Sequence, residues 1–79
     1  EVLHFNGEVK EIGDGNLLVT YLSTADGFME LSDGDYVMST DNLRDKVQEG
    51  DVVTIWFGGI ILETAPAQLT NVYRIEKAE

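Results

Sequence analysis

The segment GDVVTIWFGGIILETAPAQ, residues 50–68, decides the fold predicted for this chain. Its β-branched and aromatic run at 52–57 is typical of a β-strand. Gly58-Gly59 is a two-residue sequence typical of a tight hairpin turn. Pro66 lacks the N–H that a sheet ladder needs, so the hairpin is expected to end there. A turn at the two glycines predicts three cross-strand pairs: Phe57 with Ile60, Trp56 with Ile61, and Ile55 with Leu62.

The predicted hairpin is apolar on both faces near its turn. Because side chains alternate along a strand, one face fills the core, and its expected members are Val53, Ile55, Phe57, Ile60 and Leu62. An apolar second face must meet another layer, a partner or water. This face is the predicted interaction patch: Trp56, Ile61, Val52 and Thr54. The alternative is that Trp56 packs beneath a helix or the N-terminal strand.

The flanking sequence adds further elements. Residues 2–12 alternate and predict a strand with Leu3, Phe5, Gly7 and Val9 on its inner face. Gly7 there indicates a bend or a close backbone approach. Further strands are expected at 17–22, 28–31, 36–39 and 69–75, with 28–31 and 36–39 as one hairpin, and a short helix at 42–48. In that helix Leu43 and Val47 are four residues apart and share an inward side.

This order of elements predicts the fold class. When the hairpin of 28–31 and 36–39 is counted once and the arm at 58–63 is treated as an addition, the order is three strands, a short helix and two more strands. With a glycine in a long first strand, this is the order of the OB fold. We therefore expect a single domain over residues 1–79. The predicted class is all-β: a small OB-like Greek-key barrel of five to six strands with one short helix and an extended hairpin.

Composition excludes several classes of protein. The 79 residues include no cysteine, so neither a disulfide framework nor a thiolate metal site can form. Fifteen acids against five bases give a net charge of −10, the wrong sign for binding nucleic acid or an anionic membrane. No apolar segment of about 18 residues is present to span a bilayer. The chain begins at Glu1, and we expect any targeting segment to precede that residue.

Few residues indicate chemistry. His4 is the single histidine and falls on the polar side of the first strand. Asp33, Asp35 and Asp41 could supply oxygen ligands to Ca²⁺, although their spacing does not match the EF-hand loop. No nucleophile elbow or phosphate-binding loop occurs, so we predict neither enzymatic activity nor a cofactor. Aromatic and apolar side chains on the face that OB folds use for ligands are expected to fill the core: Tyr21, Phe28, Tyr36 and Met38.

Three segments carry a family resemblance: HFNGEVKEIGDGNLLV, GDVVTIWFGGIILETAPAQ and NVYRIEK. Together they resemble the YobA-like proteins, small lipoproteins of Gram-positive bacteria with no assigned function. The matching features are Phe5 and Gly7, Gly50-Asp51 with Val53, Gly58-Gly59, Glu63, and Pro66-Ala67-Gln68. Ala65 departs from the aromatic residue expected before Pro-Ala-Gln. The resemblance implies an OB-like barrel held outside the cytoplasmic membrane by a lipid anchor on an N-terminal cysteine.

The function predicted from these observations is that of a non-enzymatic, extracytoplasmic binding module. Its partner is an unidentified protein or small ligand that meets the patch around Trp56. Weak self-association through the same patch is a further expectation. The alternatives are a barrel that binds a small ligand or Ca²⁺ and, less favoured because of the charge, an OB domain for single-stranded nucleic acid.

Overall fold

A computed structural model describes residues 2–24, 34–58 and 61–78. The fold is all-β, as predicted, and the described residues contain no helix. The strands are β1 (Leu3–Ile12), β2 (Asn16–Thr24), β3 (Asp35–Ser39), β4 (Val52–Phe57), β5 (Ile61–Leu62), β6 (Ala67–Leu69) and β7 (Val72–Lys77). They form one mixed sheet in the order β5-β6-β3-β2-β1-β4-β7.

The long strand β1 organises the sheet because it pairs antiparallel with both β2 and β4. Its register with β2 is irregular in two places: β2 carries an extra residue, Leu22, beside Asn6 and Gly7, and β1 carries an extra residue, Lys10, between Val9 and Glu11. A bulge bends the strand that carries the extra residue. At the first irregularity Gly7 is buried. A Cβ at Gly7 would lie 3.1 Å from both the Thr20 carbonyl oxygen and Val19 Cγ2. The close backbone approach predicted for this glycine is therefore confirmed.

The C-terminal segment forces the sheet to curl. β6 pairs parallel with β3, and β7 pairs antiparallel with β4, yet only Thr70 and Asn71 separate β6 from β7. In a flat sheet of this order the two strands would lie five strand spacings apart, about 24 Å. The three residue steps from Leu69 to Val72 reach at most about 11 Å. The sheet must therefore curl until its two ends approach each other.

Curling encloses the core on the inner face. The buried side chains are Phe5, Val9, Leu17, Val19, Tyr36, Met38, Val53, Ile55, Phe57, Leu69 and Ile75. Phe5 is central: its ring centroid lies 5.5–5.9 Å from those of Tyr21, Tyr36 and Phe57. The inward positions predicted on β4 are confirmed. Tyr36 and Met38 fill the core as expected, Tyr21 packs against it, and Phe28 lies outside the described residues.

The predicted hairpin at Gly58-Gly59 is wrong. β4 pairs with β1 and β7, while β5 pairs with β6 through Ile61↔Leu69 and Leu62↔Gln68. Leu62, expected in the core, is 45% exposed, and Ile60 lies outside the described residues. The physical reason is ladder length: β1 and β7 occupy both edges of β4 with longer ladders than a two-residue β5 could offer. The single final strand predicted at 69–75 is likewise two strands, β6 and β7.

The predicted helix at 42–48 does not form. This segment instead lies beside β7, with a single parallel bridge between Leu43 and Ile75. Leu43 and Val47 do pack against the core, so their inward side was correctly predicted. A helix of seven residues is marginal in isolation, whereas the free edge of β7 offers backbone hydrogen bonds.

The predicted barrel is not closed by hydrogen bonds, because β5 and β7 remain the two ends of the strand order. Of the hairpin expected from 28–31 and 36–39, the first half lies outside the described residues and the second is β3. In the part of the chain that the structure describes, no helix has the length and apolar character required to cross a membrane.

Candidate interaction surface

The outer face of β4 carries Trp56 between two side chains from neighbouring strands. The register places His4 of β1 opposite Trp56 and Arg74 of β7 on its other side. The His4 and Trp56 ring centroids are 5.8 Å apart, with 23° between the ring planes. Arg74 Cζ lies 5.0 Å from the centroid of Trp56, a cation–π distance. Trp56 is consequently half-buried on an outer face.

His4 and Arg74 both contact the Trp56 ring. β1 and β7 flank β4 on opposite sides, so His4 and Arg74 reach the indole from opposite sides. The expectation that Trp56 packs on the N-terminal strand is confirmed for its contact with His4, and the alternative of a covering helix is not, because residues 42–48 are not helical.

A row of hydrogen-bonded polar side chains, the polar row, lies beside Trp56 and consists of Thr54, Asn6 and Ser23. Thr54 donates its hydroxyl to Asn6 Oδ1 at 2.7 Å, and the Asn6 amide donates to Ser23 Oγ at 3.3 Å. The row thereby ties β4, β1 and β2 together on the outer face. Arg74 donates to the Glu76 carboxylate and forms an ion pair with it. Its guanidinium is thus held over Trp56 by a second contact.

Two exposed side chains extend the surface beyond Trp56. Leu3 pairs with Phe57, which places Val2, 56% exposed, opposite Gly58. Tyr73 is the extra residue in the irregular pairing of β7 with β4 and is 54% exposed. Its ring covers Gly58, since a Cβ there would lie 3.0 Å from Tyr73 Cζ. Position 58 shares the face of Trp56 by alternation. We call this surface the aromatic strip: Val2, His4, Trp56, Tyr73 and Arg74.

The structure brings together only part of the predicted patch. Val52, Thr54 and Trp56 alternate on the outer face of β4 with their predicted exposure to that side. Ile61 is not with them: it pairs with Leu69 on β6 and packs against the core. Sequence reasoning missed Tyr73 and Arg74 because their proximity depends on the β4–β7 register, although NVYRIEK has the composition of a strand.

The predicted cation site does not assemble among the described residues. Asp35 accepts hydrogen bonds from Lys10 Nζ at 3.0 Å and Thr20 Oγ1 at 2.8 Å. The hydrogen bond from Lys10, then that from Thr20, holds the pKa of Asp35 below its ordinary value, since both favour the charged carboxylate. Asp41 lies past the opposite end of β3, at least about 13 Å along the strand.

Asp33, the third predicted ligand, lies outside the described residues. Within the described ranges, no three histidine or carboxylate side chains are grouped so that they could hold a metal ion. The calcium-binding alternative therefore gains no support from the positions of Asp35 and Asp41.

A shallow cleft of about 210 Å³ lies where β3 ends beside the β6–β7 connection. It is lined by Ser39, Asp41, Asn42, Leu69, Thr70 and Val72. Two of its polar groups already have partners: Ser39 Oγ accepts from the Asp41 backbone N–H at 3.1 Å, and the Asn42 amide donates to the Val72 carbonyl at 2.7 Å. The volume falls below the range of about 300–1,000 Å³ typical of ligand pockets.

Comparison of the chain with protein-family models, with curated proteins and with solved structures found no match. The resemblance to YobA-like lipoproteins accordingly stays a prediction made from the sequence.

Proposed function

We propose that this chain is a non-enzymatic binding module that contacts a partner protein through the aromatic strip. The observation that carries the proposal is the clustering of Trp56, Tyr73 and Arg74 on one outer face. Tryptophan, tyrosine and arginine are the residue types most enriched among the side chains that dominate protein–protein binding energy. The half-buried indole is also held in position in advance, which lowers the entropic cost of binding.

A protein partner fits this surface better than a ligand that stacks on aromatic rings. A nucleobase needs an accessible ring face, and His4 and Arg74 already lie against the Trp56 ring. A phosphate backbone would also meet a net charge of −10. A protein can use the indole, the tyrosine ring and hydrogen bonds to the polar row at the same time.

We further propose that the curled sheet is an OB-type Greek key, placed outside the cytoplasmic membrane through a lipid anchor. The parallel β3–β6 pairing and the central β1 support the fold assignment. The location rests only on the resemblance to YobA-like lipoproteins.

Substitution of Tyr73 by alanine tests the binding proposal. Tyr73 is exposed, so the variant should keep its fold, which circular dichroism would check. Ile12→Ala is the matched control, because Ile12 is 46% exposed and lies at the far end of β1, about 26 Å along the strand from His4.

Proteins of the source cell envelope would be retained on immobilised wild-type chain, identified, purified and titrated one by one. A partner that uses the strip should lose about tenfold or more in affinity for Tyr73→Ala, the size of a hot-spot loss, and keep its affinity for Ile12→Ala. Partners that bind all three forms equally, or no partner at all, would refute the proposed function.

A further inference from the structure

We propose that the segment bound by the aromatic strip is basic: an extended protein segment that combines an apolar side chain with lysine or arginine. This inference rests on the proposed function and adds the chemistry of the partner. It is carried by the charges around the strip and by the charge of the whole chain.

Carboxylates lie along the strip where a partner would extend. Glu8 is exposed on β1 and pairs in register with Val52 and Thr20, so alternation puts it on the face that carries His4. Glu76 neighbours Thr54 on the same face. A segment lying along β1 and β4 would therefore pass from aromatic side chains onto carboxylates.

The nearby cations leave Glu8 as the free negative charge, because Arg74 already neutralises Glu76. Arg74 pairs with Glu76, Lys10 with Asp35, and Lys77 with Asp51 at 3.6 Å. Among the described residues Glu8 has no ion-pair partner. A cation supplied by the partner would give Glu8 the opposite charge it lacks.

The net charge of the chain acts in the same direction. With fifteen acids and five bases, the field attracts cationic partners and speeds their association. The same field repels a second copy of this chain, which makes self-association through the strip unfavourable. Charge complementarity therefore favours a basic partner over a neutral or an acidic one.

The sheet geometry sets the spacing of the basic residue. His4 and Glu8 are four residues apart on β1, about 13 Å along the strand. An extended segment covers the same distance in about four residues. We expect a lysine or arginine about four positions from the apolar residue that contacts Trp56 and Tyr73.

Trp56 is the single tryptophan of the chain, so its fluorescence reports on the strip alone when the probe lacks tryptophan. The probes are three synthetic peptides of one glycine–serine framework with phenylalanine at one position, and with lysine, glutamine or glutamate at spacings of four residues. At low salt the lysine peptide should change Trp56 emission and bind at least about tenfold more tightly than the glutamine peptide. Raising the ionic strength should reduce this advantage.

Two matched variants test whether the lysine peptide contacts Glu8 or is attracted only by the net charge of the whole protein. Glu8→Gln and Asp14→Asn each remove one exposed negative charge, but Asp14 lies beyond the far end of β1. Glu8→Gln should weaken lysine-peptide binding more than Asp14→Asn does. Equal weakening would overturn the inference, because the attraction would then belong to the whole molecule.

The peptides also separate this inference from the proposed function. If the glutamine peptide binds as tightly as the lysine peptide and both lose affinity in Tyr73→Ala, the strip binds proteins but the basic partner is wrong. If no peptide changes Trp56 emission and no envelope protein distinguishes Tyr73→Ala, both proposals fail. If emission changes with the concentration of the chain alone, the occupant is a second copy and the inference is wrong.

Discussion

At the scale of the residue, the Asp35 carboxylate joins three strands. Lys10 reaches it from β1 across β2, and Thr20 of β2 donates to its other oxygen. Both contacts favour the ionised form and lower the pKa of Asp35 in the folded state. Since the folded pKa lies below the unfolded one, Asp35 stabilises the fold at neutral pH. That contribution falls once the pH drops below the ordinary aspartate value, about 3.9.

Asp35→Asn should therefore lower the free energy of unfolding at pH 7 and have little effect in acid. Urea unfolding of wild type and variant at about pH 7 and about pH 2.5, on either side of the aspartate titration range, measures both differences. Asp14→Asn is the control because Asp14 makes no ion pair among the described residues. A difference between wild type and Asp35→Asn that is the same at both pH values would contradict this account.

The residue pattern predicted the face of β4 on which each side chain lies. It did not predict which side chains of other strands lie beside it. Alternation alone placed Trp56 outward and Ile55 inward, because the strand period is a local property. It could not place Arg74 on Trp56, since that contact depends on which strand occupies the next position in the sheet. Thus the orientation of the β4 side chains was predictable, but the orientation of Ile61 and Leu62 and the composition of the site were not.

At the scale of the element, residues 42–45 cover the open edge of β7. The Asn42 carbonyl accepts from Ile75 N–H at 3.1 Å, and Arg44 N–H donates to the Ile75 carbonyl at 3.1 Å. The Asp45 carboxylate accepts from the Lys77 N–H at 3.0 Å. An uncovered edge strand invites pairing with other chains. This segment therefore protects β7 in the place where the sequence predicted a helix.

Asp45→Ala should expose the end of the β7 edge that residues 42–45 cover. Loss of the bond to Lys77 N–H costs about 1 kcal/mol, which corresponds to roughly a fivefold faster exchange of that amide hydrogen. Hydrogen exchange followed by NMR would measure it residue by residue. Asp41→Ala, four positions earlier and also exposed, should leave the Lys77 amide unchanged. Equal acceleration by both variants would show that the carboxylate of Asp45 does not protect β7.

The two elements that were predicted wrongly, the hairpin at Gly58-Gly59 and the helix at 42–48, have one cause in common. A glycine pair and a spacing of four between apolar residues describe what a segment forms by itself, and both the predicted hairpin and the predicted helix were local structures. In the folded chain, β4 finds longer partners in β1 and β7, and residues 42–48 find backbone groups on β7. Tertiary hydrogen bonds and burial override local preference when the local element is only a few residues long.

At the scale of the whole molecule, stability depends on one small core. A chain of this size has a net stability of only about 3–5 kcal/mol. Ile55 is fully buried, while Leu62 is 45% exposed, although the hairpin predicted from the sequence would bury both. Removing the Leu62 side chain therefore distinguishes the observed sheet from the predicted hairpin, and removing Ile55 measures the cost of losing a side chain that both arrangements bury.

Ile55→Ala should cost about 2–5 kcal/mol, which is comparable with the whole net stability of a chain of this size. Ile55→Val, at about 0.5–1.5 kcal/mol, keeps the effect measurable if the alanine variant does not fold. Leu62→Ala should change the free energy of unfolding by no more than about 0.5 kcal/mol. Thermal and urea unfolding would check all three. A large loss for Leu62→Ala would place that side chain in the core and refute the pairing of β5 with β6.

The sequence by itself determined that the chain is all-β, which side chains of β1 and β4 face inward, and that the molecule is strongly acidic. These properties follow from a period of two and from composition, and neither depends on residues distant in the chain. Only the tertiary structure decided the partners of β4, the split of the last strand into β6 and β7, and the meeting of His4, Trp56 and Arg74. Strand order is chosen by competition among distant segments for the same backbone edges, and no local pattern records the outcome.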